Sequence, residues 1–265
     1  MLSWLEVAAL IISGVFVGFI NTLAGGGTII SISIFLFLGL PIEIANGTNR
    51  IAVILQNITS VGAFRKQHIL DFKKGTILAI PAVIGSIVGA QVAVDINKAA
   101  FEKAFAVVML IMIFFLFFNT SKHLMGHEGK RNKKVDWIQM FIFFLIGVYG
   151  GFVQVGVGYF LLAAIVLSAG FDLVQANAIK VWIVLLYTPF TLVVFLMNGA
   201  VNWKFGLIHA IGNIIGAYIG SHMAITKGVV FVKWVIIVVI VITSAQLFGL
   251  YDFNQIFGFF LTNKN

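Results

Sequence analysis

The two halves of this chain repeat one another at a fixed spacing. A shift of 131 residues, without a gap, carries Gly25, Gly27, Gly39, Gly75, Gly85 and Gly89 onto Gly156, Gly158, Gly170, Gly206, Gly216 and Gly220. Glycine supplies only 27 of the 265 residues, so six such coincidences are not compositional noise. Asn46 falls on Asn177, Phe64 on Phe195 and Lys73 on Lys204. Each copy holds a glycine turn (24–28, 155–159), a short apolar run, and a polar helix start (45–50, 176–180). A duplicated unit with interrupted hydrophobic segments is a common build for secondary transporters.

The solvent for these segments is lipid. Apolar residues make up 61% and charged residues 10% of the chain, against roughly a quarter charged in soluble domains. Mean hydropathy is +1.09. Apolar stretches recur at 5–23, 28–40, 51–64, 76–94 and 104–118, then at 137–153, 157–169, 181–197, 205–225 and 229–250. Several reach the ~20 residues that a spanning helix needs. Little remains outside the bilayer, which predicts one integral membrane domain over 1–265. Repeat one lies at about 5–118, a basic linker at 119–136 and repeat two at about 137–250.

No basic n-region precedes the first apolar segment and no small-residue cleavage signal follows it, so it is expected to stay as a membrane helix. Cysteine is absent, which removes disulfides, thiolate nucleophiles and thiolate metal sites. The net charge of +8 does not point to nucleic acid, because the cations cluster in loops where the positive-inside rule accounts for them.

Those loops also bear on topology. Arg65, Lys66, Lys73 and Lys74 stand in the 65–74 loop, but the matching loop at 196–205 has only Lys204. The linker carries Lys122, Lys130, Arg131, Lys133 and Lys134, whereas the C-terminal tail has only Lys264. Parallel repeats would put matching loops on one side; inverted repeats put them on opposite sides. The asymmetry predicts inversion, with the basic loops cytoplasmic and both termini outside. Runs of about 12 residues such as 28–40 cover only ~18 Å, so re-entrant half-helices are an alternative to full crossings. The expected fold is all-α: a polytopic membrane protein of about 8–10 transmembrane or re-entrant helices in two inverted repeats, with half-helices broken at glycine turns.

Gly25, Gly26 and Gly27 open a helix at Thr28, and glycine leaves the backbone N–H groups of a helix N-terminus unobstructed. That makes a cradle for an anion or, more plainly, a sharp turn with close packing. Gly156 and Gly158 repeat it, so two half-helices can converge on one site. Arg50 and Lys180 head the next apolar runs, one aligned position apart. A cation within a membrane segment is costly and marks a functional site unless it snorkels to a headgroup. Two-fold pseudosymmetry would place the pair close together or at equivalent depth about the centre. On a helix starting near 45, Asn46, Arg50 and Asn57 share a face with Gln56 beside them; Asn177, Lys180 and Tyr187 trace the matching stripe. Asn21, Thr22 and Gln154 add donors before the glycine turns. Substrate contact and interhelical hydrogen bonding are equal readings for these amides.

Gly14/Gly18, Gly85/Gly89 and Gly212/Gly216/Gly220 read as close helix packing, as do His209 and Asn213. His123, His127 and Glu128 read as part of a solvated charge run. All nine acids lie at or near segment ends, and no nucleotide loop, zinc-protease pattern or nucleophile elbow is present. Enzyme and proton-pump readings weaken together. No cofactor is expected, and the partners are a small anionic substrate and the bilayer; a homo-oligomer is compatible with this build.

Across Gly18 to Thr28, Gly39-Leu-Pro41, Ala45 to Arg50 and the basic loop ending Lys74-Gly75, the chain resembles the sulfite exporter TauE/SafE family. Through the duplication the resemblance covers nearly the whole chain. It implies a multi-pass plasma-membrane or inner-membrane exporter or permease of sulfite, organosulfonates or related organic anions. It points to Gly25, Gly26, Gly27, Asn46, Thr48, Asn49 and Arg50 as motif positions. This chain departs from the family pattern at Ile32, where many relatives carry proline, at Asn21, where close relatives often have an acid, and in its eroded second glycine motif. The leading expectation is alternating-access transport of a small anion. Arg50 and Lys180 would supply charge, Gly25–Thr28 with Gly156 and Gly158 the oxyanion cradle, and Asn46, Asn49 and Asn177 orientation. An anion channel and a non-transporting assembly or signalling subunit are the alternatives.

Overall fold

The structure, a computed structural model, describes residues 2–96, 100, 103 and 135–247. Its helices are α1 (Trp4–Leu23), α2 (Thr28–Phe37), α3 (Ile42–Lys66), α4 (Phe72–Asp95), α5 (Trp137–Phe152), α6 (Val157–Ala169), α7 (Leu173–Met197) and α8 (Trp203–Leu247). Gly228, at φ 71° and ψ −165°, breaks α8 where two apolar segments were expected to meet. No strand occurs among the described residues. The 104–118 segment, most of the basic linker with His123, His127 and Glu128, and the C-terminal tail lie outside the described residues. The chain is an all-α polytopic membrane protein. By length and composition, α1, α4 and α7 can each cross a bilayer, with mean hydropathies of 1.9, 2.2 and 2.1.

The acids at segment ends start these helices. Asp71 accepts from the Lys74 N–H at 3.0 Å, Asp136 from Gln139 at 2.7 Å, and Asp172 from Val174 and Gln175 at 2.8 and 2.9 Å. Ser3 and Glu6 form a reciprocal capping box on α1. Each satisfies N–H groups that a helix start leaves open and sets negative charge at the positive end of the dipole.

Small residues then bring the long helices into backbone contact. Along α1 and α8, a Cβ on Gly212 would overlap the Ile11 carbonyl and one on Gly216 the Val15 carbonyl. Along α4 and α5, Gly85 and Gly89 stand in the same relation to Phe144 and Val148. Residue numbers rise together in both pairs, so both pairs run parallel. A Cβ on Gly206 of α8 would meet Ile51 of α3, and one on Gly75 of α4 would meet Trp182 of α7. Where α3 meets α7 the order reverses: Gly47 abuts Phe195, while Arg50 bonds Thr191 at 2.8 Å. These two equivalent helices are antiparallel.

The helix contacts add a second spacing to the gapless register. Gly216 faces Val15 and Phe19 as Gly85 faces Phe144 and Val148. The shift is 216 − 85 = 131 on the later helices but 144 − 15 = 129 on the first helix of each half. The half-helix N-caps Gly27 and Gly156 also stand 129 apart, whereas the backbone conformations of the turns keep the 131 spacing at Gly25 and Gly156, with φ of 94° and 68° against −68° at Gly27. The two extra residues fall between the N-cap and the positive-φ glycine that ends each half-helix, 39 − 27 = 12 against 170 − 156 = 14. Gly25 and Gly27 stand two residues apart, as do Gly156 and Gly158, so a slip of two still lays glycine on glycine and the sequence aligns without a visible gap.

Candidate functional site

Both glycine turns reach the same point. A Cβ on Gly25 would overlap the Cα of Gly158, and one on Gly158 would overlap the Cα of Gly25, so the two backbones touch. The positive φ of Gly25 is one that L side chains rarely adopt. Gly26 lies under the Tyr159 hydroxyl, and Gly27 packs on the Val17 carbonyl of α1. The half-helices α2 and α6 begin here, with Gly27 and Gly156 as N-caps and no side-chain hydrogen bond capping either end. Two helix N-termini are therefore brought together away from lipid; Ile30, Val157 and Tyr159 donate to the Gly27, Gln154 and Gly156 carbonyls, and no side chain caps the N–H groups of Thr28, Ile29 and Gly158.

Beside this crossing lies a cavity of about 20 Å³, lined by Asn21, Gly25, Thr28, Val53, Gln56, Asn57, Gln154, Val157, Gly158, Lys180 and Val184. That is room for a water-sized occupant. Lys180, only 2% exposed, is the sole charged residue in the lining. Its Nζ donates to the carbonyls of Asn21 at 2.9 Å and Thr22 at 3.0 Å, in the last turn of α1. An ammonium group has three donors, so one remains for the cavity. Asn21 Nδ2 reaches Thr28 Oγ1 at 3.5 Å and Gln56 Oε1 at 3.4 Å, tying the half-helix to α3. Gln154 accepts from Asn49 at 3.4 Å and donates to Thr188 at 3.4 Å.

Arg50 has a different place. It is fully buried but does not line the cavity. Its guanidinium donates to the carbonyls of Gly150 at 3.3 Å and Gly151 at 2.5 Å, and to Thr191, while its Cζ sits 4.5 Å from the Phe195 ring centroid. Gly150 and Gly151 are the counterparts of Asn21 and Thr22 at the shift of 129. Each cation thus closes the C-terminal turn of the first helix of the other half, where cations are favoured by the unpaired carbonyls and the dipole. Asn46 adds a bond to the next carbonyl, Phe152, at 2.8 Å. Thr48 accepts from the Asn202 N–H at 2.8 Å, ahead of α8. Asn177 is fully buried, and neither polar atom of its side chain has a partner among the described residues.

Of the expected site residues, Gly25, Thr28, Gly158 and Lys180 line the cavity, while Gly26, Gly27 and Gly156 belong to the same two turns without lining it. Arg50, Asn46 and Thr48 instead close helix ends, and Asn49 reaches the lining through Gln154. Val53, Val157, Val184, Gln56, Asn57, Gln154 and Asn21 complete the wall. The matching of Val53 with Val184 at the 131 shift is a signal that a search confined to polar groups passes over.

A model of the sulfite exporter TauE/SafE family matches residues 10–247. The chain belongs to this family. Family relatives extend over nearly its full length. A probable membrane transporter protein, ORF9, of Sinorhizobium sp is 27% identical over 93% of this chain and 92% of its own. One from Haemophilus influenzae is 27% identical over 91% and 94%, and YfcA of Escherichia coli K12 is 25% identical over 95% and 92%. No solved structure gives a significant match.

Proposed function

We propose that this family member is a secondary membrane transporter that moves a small oxyanion, in the class of sulfite or organosulfonates, through the cavity at the glycine crossing. The observation that carries this reading is Lys180 Nζ in a cavity whose lining holds no carboxylate among the described residues, beside two half-helices without a side-chain N-cap. Every strong electrostatic element there favours negative charge. The family match and the names of the relatives support the transporter class.

In this reading α1 to α4 and α5 to α8 belong to two inverted repeats, and transport is alternating access between them. The antiparallel meeting of α3 and α7 supports inversion. A cavity of about 20 Å³ corresponds to a closed state, and entry of a solute requires α2 and α6 to separate. Lys180, Gly25, Gly26, Gly27, Thr28, Gly156 and Gly158 form the binding set. Arg50 and Asn46 hold the opposite break in shape, and Asn49 and Asn177 orient its surroundings.

Sulfite counterflow in proteoliposomes tests the assignment. Wild type is expected to show saturable flux accelerated by sulfite on the far side. Lys180→Met should abolish it, while Arg50→Lys should retain substrate affinity in whatever fraction folds. Undiminished flux in a folded Lys180→Met protein would remove the site; flux that neither saturates nor counter-exchanges would make the protein a channel.

A further inference from the structure

The cavity wall is divided by chemistry as well as by origin. Val53 and Val184, equivalent in the two halves, and Val157 supply an apolar side; Asn57, Gln56, Gln154 and Lys180 supply a polar one. Only Lys180 contributes a formal charge. Arg50, the other buried cation of the paired motif, has its guanidinium on two carbonyls, a hydroxyl and an aromatic face outside this lining. Pseudosymmetry suggests two cations at the centre, but the geometry leaves one.

A second observation agrees. Asn21, 6% exposed and part of the lining, has its Oδ1 buried with no hydrogen-bond partner among the described residues. A buried acceptor is satisfied by a donor, which the hydroxyl of a protonated monoanion supplies and a fully ionised oxyanion lacks. One ammonium group neutralises one unit of anionic charge, and any excess is left buried in a low-dielectric wall.

Resting on the reading of this cavity as the anion site, we propose that it is charge-matched to a singly charged oxyanion with a small apolar substituent or a proton, and rejects doubly charged ones. The transported species is then a monoanion such as hydrogen sulfite or a short alkyl sulfonate. The valines receive the apolar part, while Lys180 and the half-helix N-termini take the oxygens. The half-helix N-termini add only partial charge, and the N–H groups of Ile30, Val157 and Tyr159 are already engaged by the carbonyls of Gly27, Gln154 and Gly156, so sulfate and fully ionised sulfite exceed the one full charge of the wall.

Methanesulfonate and sulfate are tetrahedral probes of similar size that differ by one charge. The melting temperature of the purified full-length protein is measured against each anion at fixed pH and ionic strength. The saturable part of the shift is read, because sulfate also stabilises proteins non-specifically. Methanesulfonate is expected to give a saturating shift, and sulfate to need at least about a hundredfold higher concentration for the same effect. Equal saturable responses would overturn the charge matching while leaving the site intact. Saturable shifts that persist in folded Lys180→Met, or no shift with either anion in wild type, would overturn the cavity reading together with the inference. As a gain of function, Gln56→Lys adds a second cation to the wall and is expected to move the preference at least about tenfold towards sulfate. An unchanged preference in a folded Gln56→Lys protein would also overturn the charge matching.

Discussion

Gly25 and Gly158 meet backbone to backbone, so the two glycine turns of this transporter-family protein are held at one point with no room for a Cβ on either side. The contact joins the first half to the second at the depth where both half-helices start, and it forms part of the cavity wall.

Alanine at this crossing should therefore act on folding and on the site together. Gly158→Ala would force the turns apart and cost about 1–3 kcal/mol, the range for overpacked interiors. Gly25→Ala should cost more, because a positive φ of 94° adds backbone strain to the clash. Thermal unfolding of both variants in detergent checks the order; a Gly158→Ala protein as stable as wild type would mean that the turns do not touch.

Arg50 should prove a stability residue rather than an affinity residue. Removing its guanidinium strands the buried carbonyl of Gly151, at about 1–3 kcal/mol, while the Gly150 carbonyl keeps the bond from the Gln154 N–H at 3.3 Å. Arg50→Met is thus expected to melt well below wild type, with Arg50→Lys intermediate because an ammonium group can still reach part of the carbonyl turn. The anion concentration that half-saturates the thermal shift should stay within about twofold of wild type in the lysine variant, since Arg50 lies outside the cavity. A tenfold weakening without loss of stability would place Arg50 at the substrate instead.

Thr48 lies in the same Asn-Gly-Thr-Asn-Arg block, and its part is smaller and separable. Its hydroxyl takes the Asn202 N–H just before α8 begins. Thr48→Val keeps the shape and removes that acceptor, which should lower stability by about 1 kcal/mol. Melting curves measure that loss, and counterflow rates below the transition should be unchanged.

The doubled motif made the helix breaks, the caged polar stripe and the two buried cations legible in the sequence, because glycine turns and intramembrane charge leave strong local signatures. What each cation does was not legible. Arg50 and Lys180 sit in matching sequence contexts and close matching carbonyl turns, yet only Lys180 also borders the cavity. That difference lies in tertiary packing between the halves, which no local pattern encodes. The two-residue shift of register was hidden for a related reason. Gly170 matches Gly39 as the positive-φ helix end, and the glycines of each turn are two residues apart, so a slip of two residues still lays glycine on glycine and a gapless comparison looks complete. Asp71, Asp136 and Asp172 were readable as absent from the helix centres, and their capping bonds account for why they occur where they do.

Topology offers the sharpest test of the repeat. Gln67 and Asn198 are the C-caps of α3 and α7, 198 − 67 = 131 residues apart, and both are exposed. Because α3 and α7 run antiparallel where they meet, their C-termini point to opposite ends of the molecule. The chain has no cysteine, so a single introduced thiol is labelled without background. Gln67→Cys stands in the loop carrying Arg65, Lys66, Lys73 and Lys74, which the positive-inside rule assigns to the cytoplasm. In intact cells a membrane-impermeant maleimide should label Asn198→Cys and spare Gln67→Cys, and permeabilisation should expose both. Labelling of both from one side would make the repeats parallel and would place the two half-helix N-termini on the same side of the cavity rather than across it.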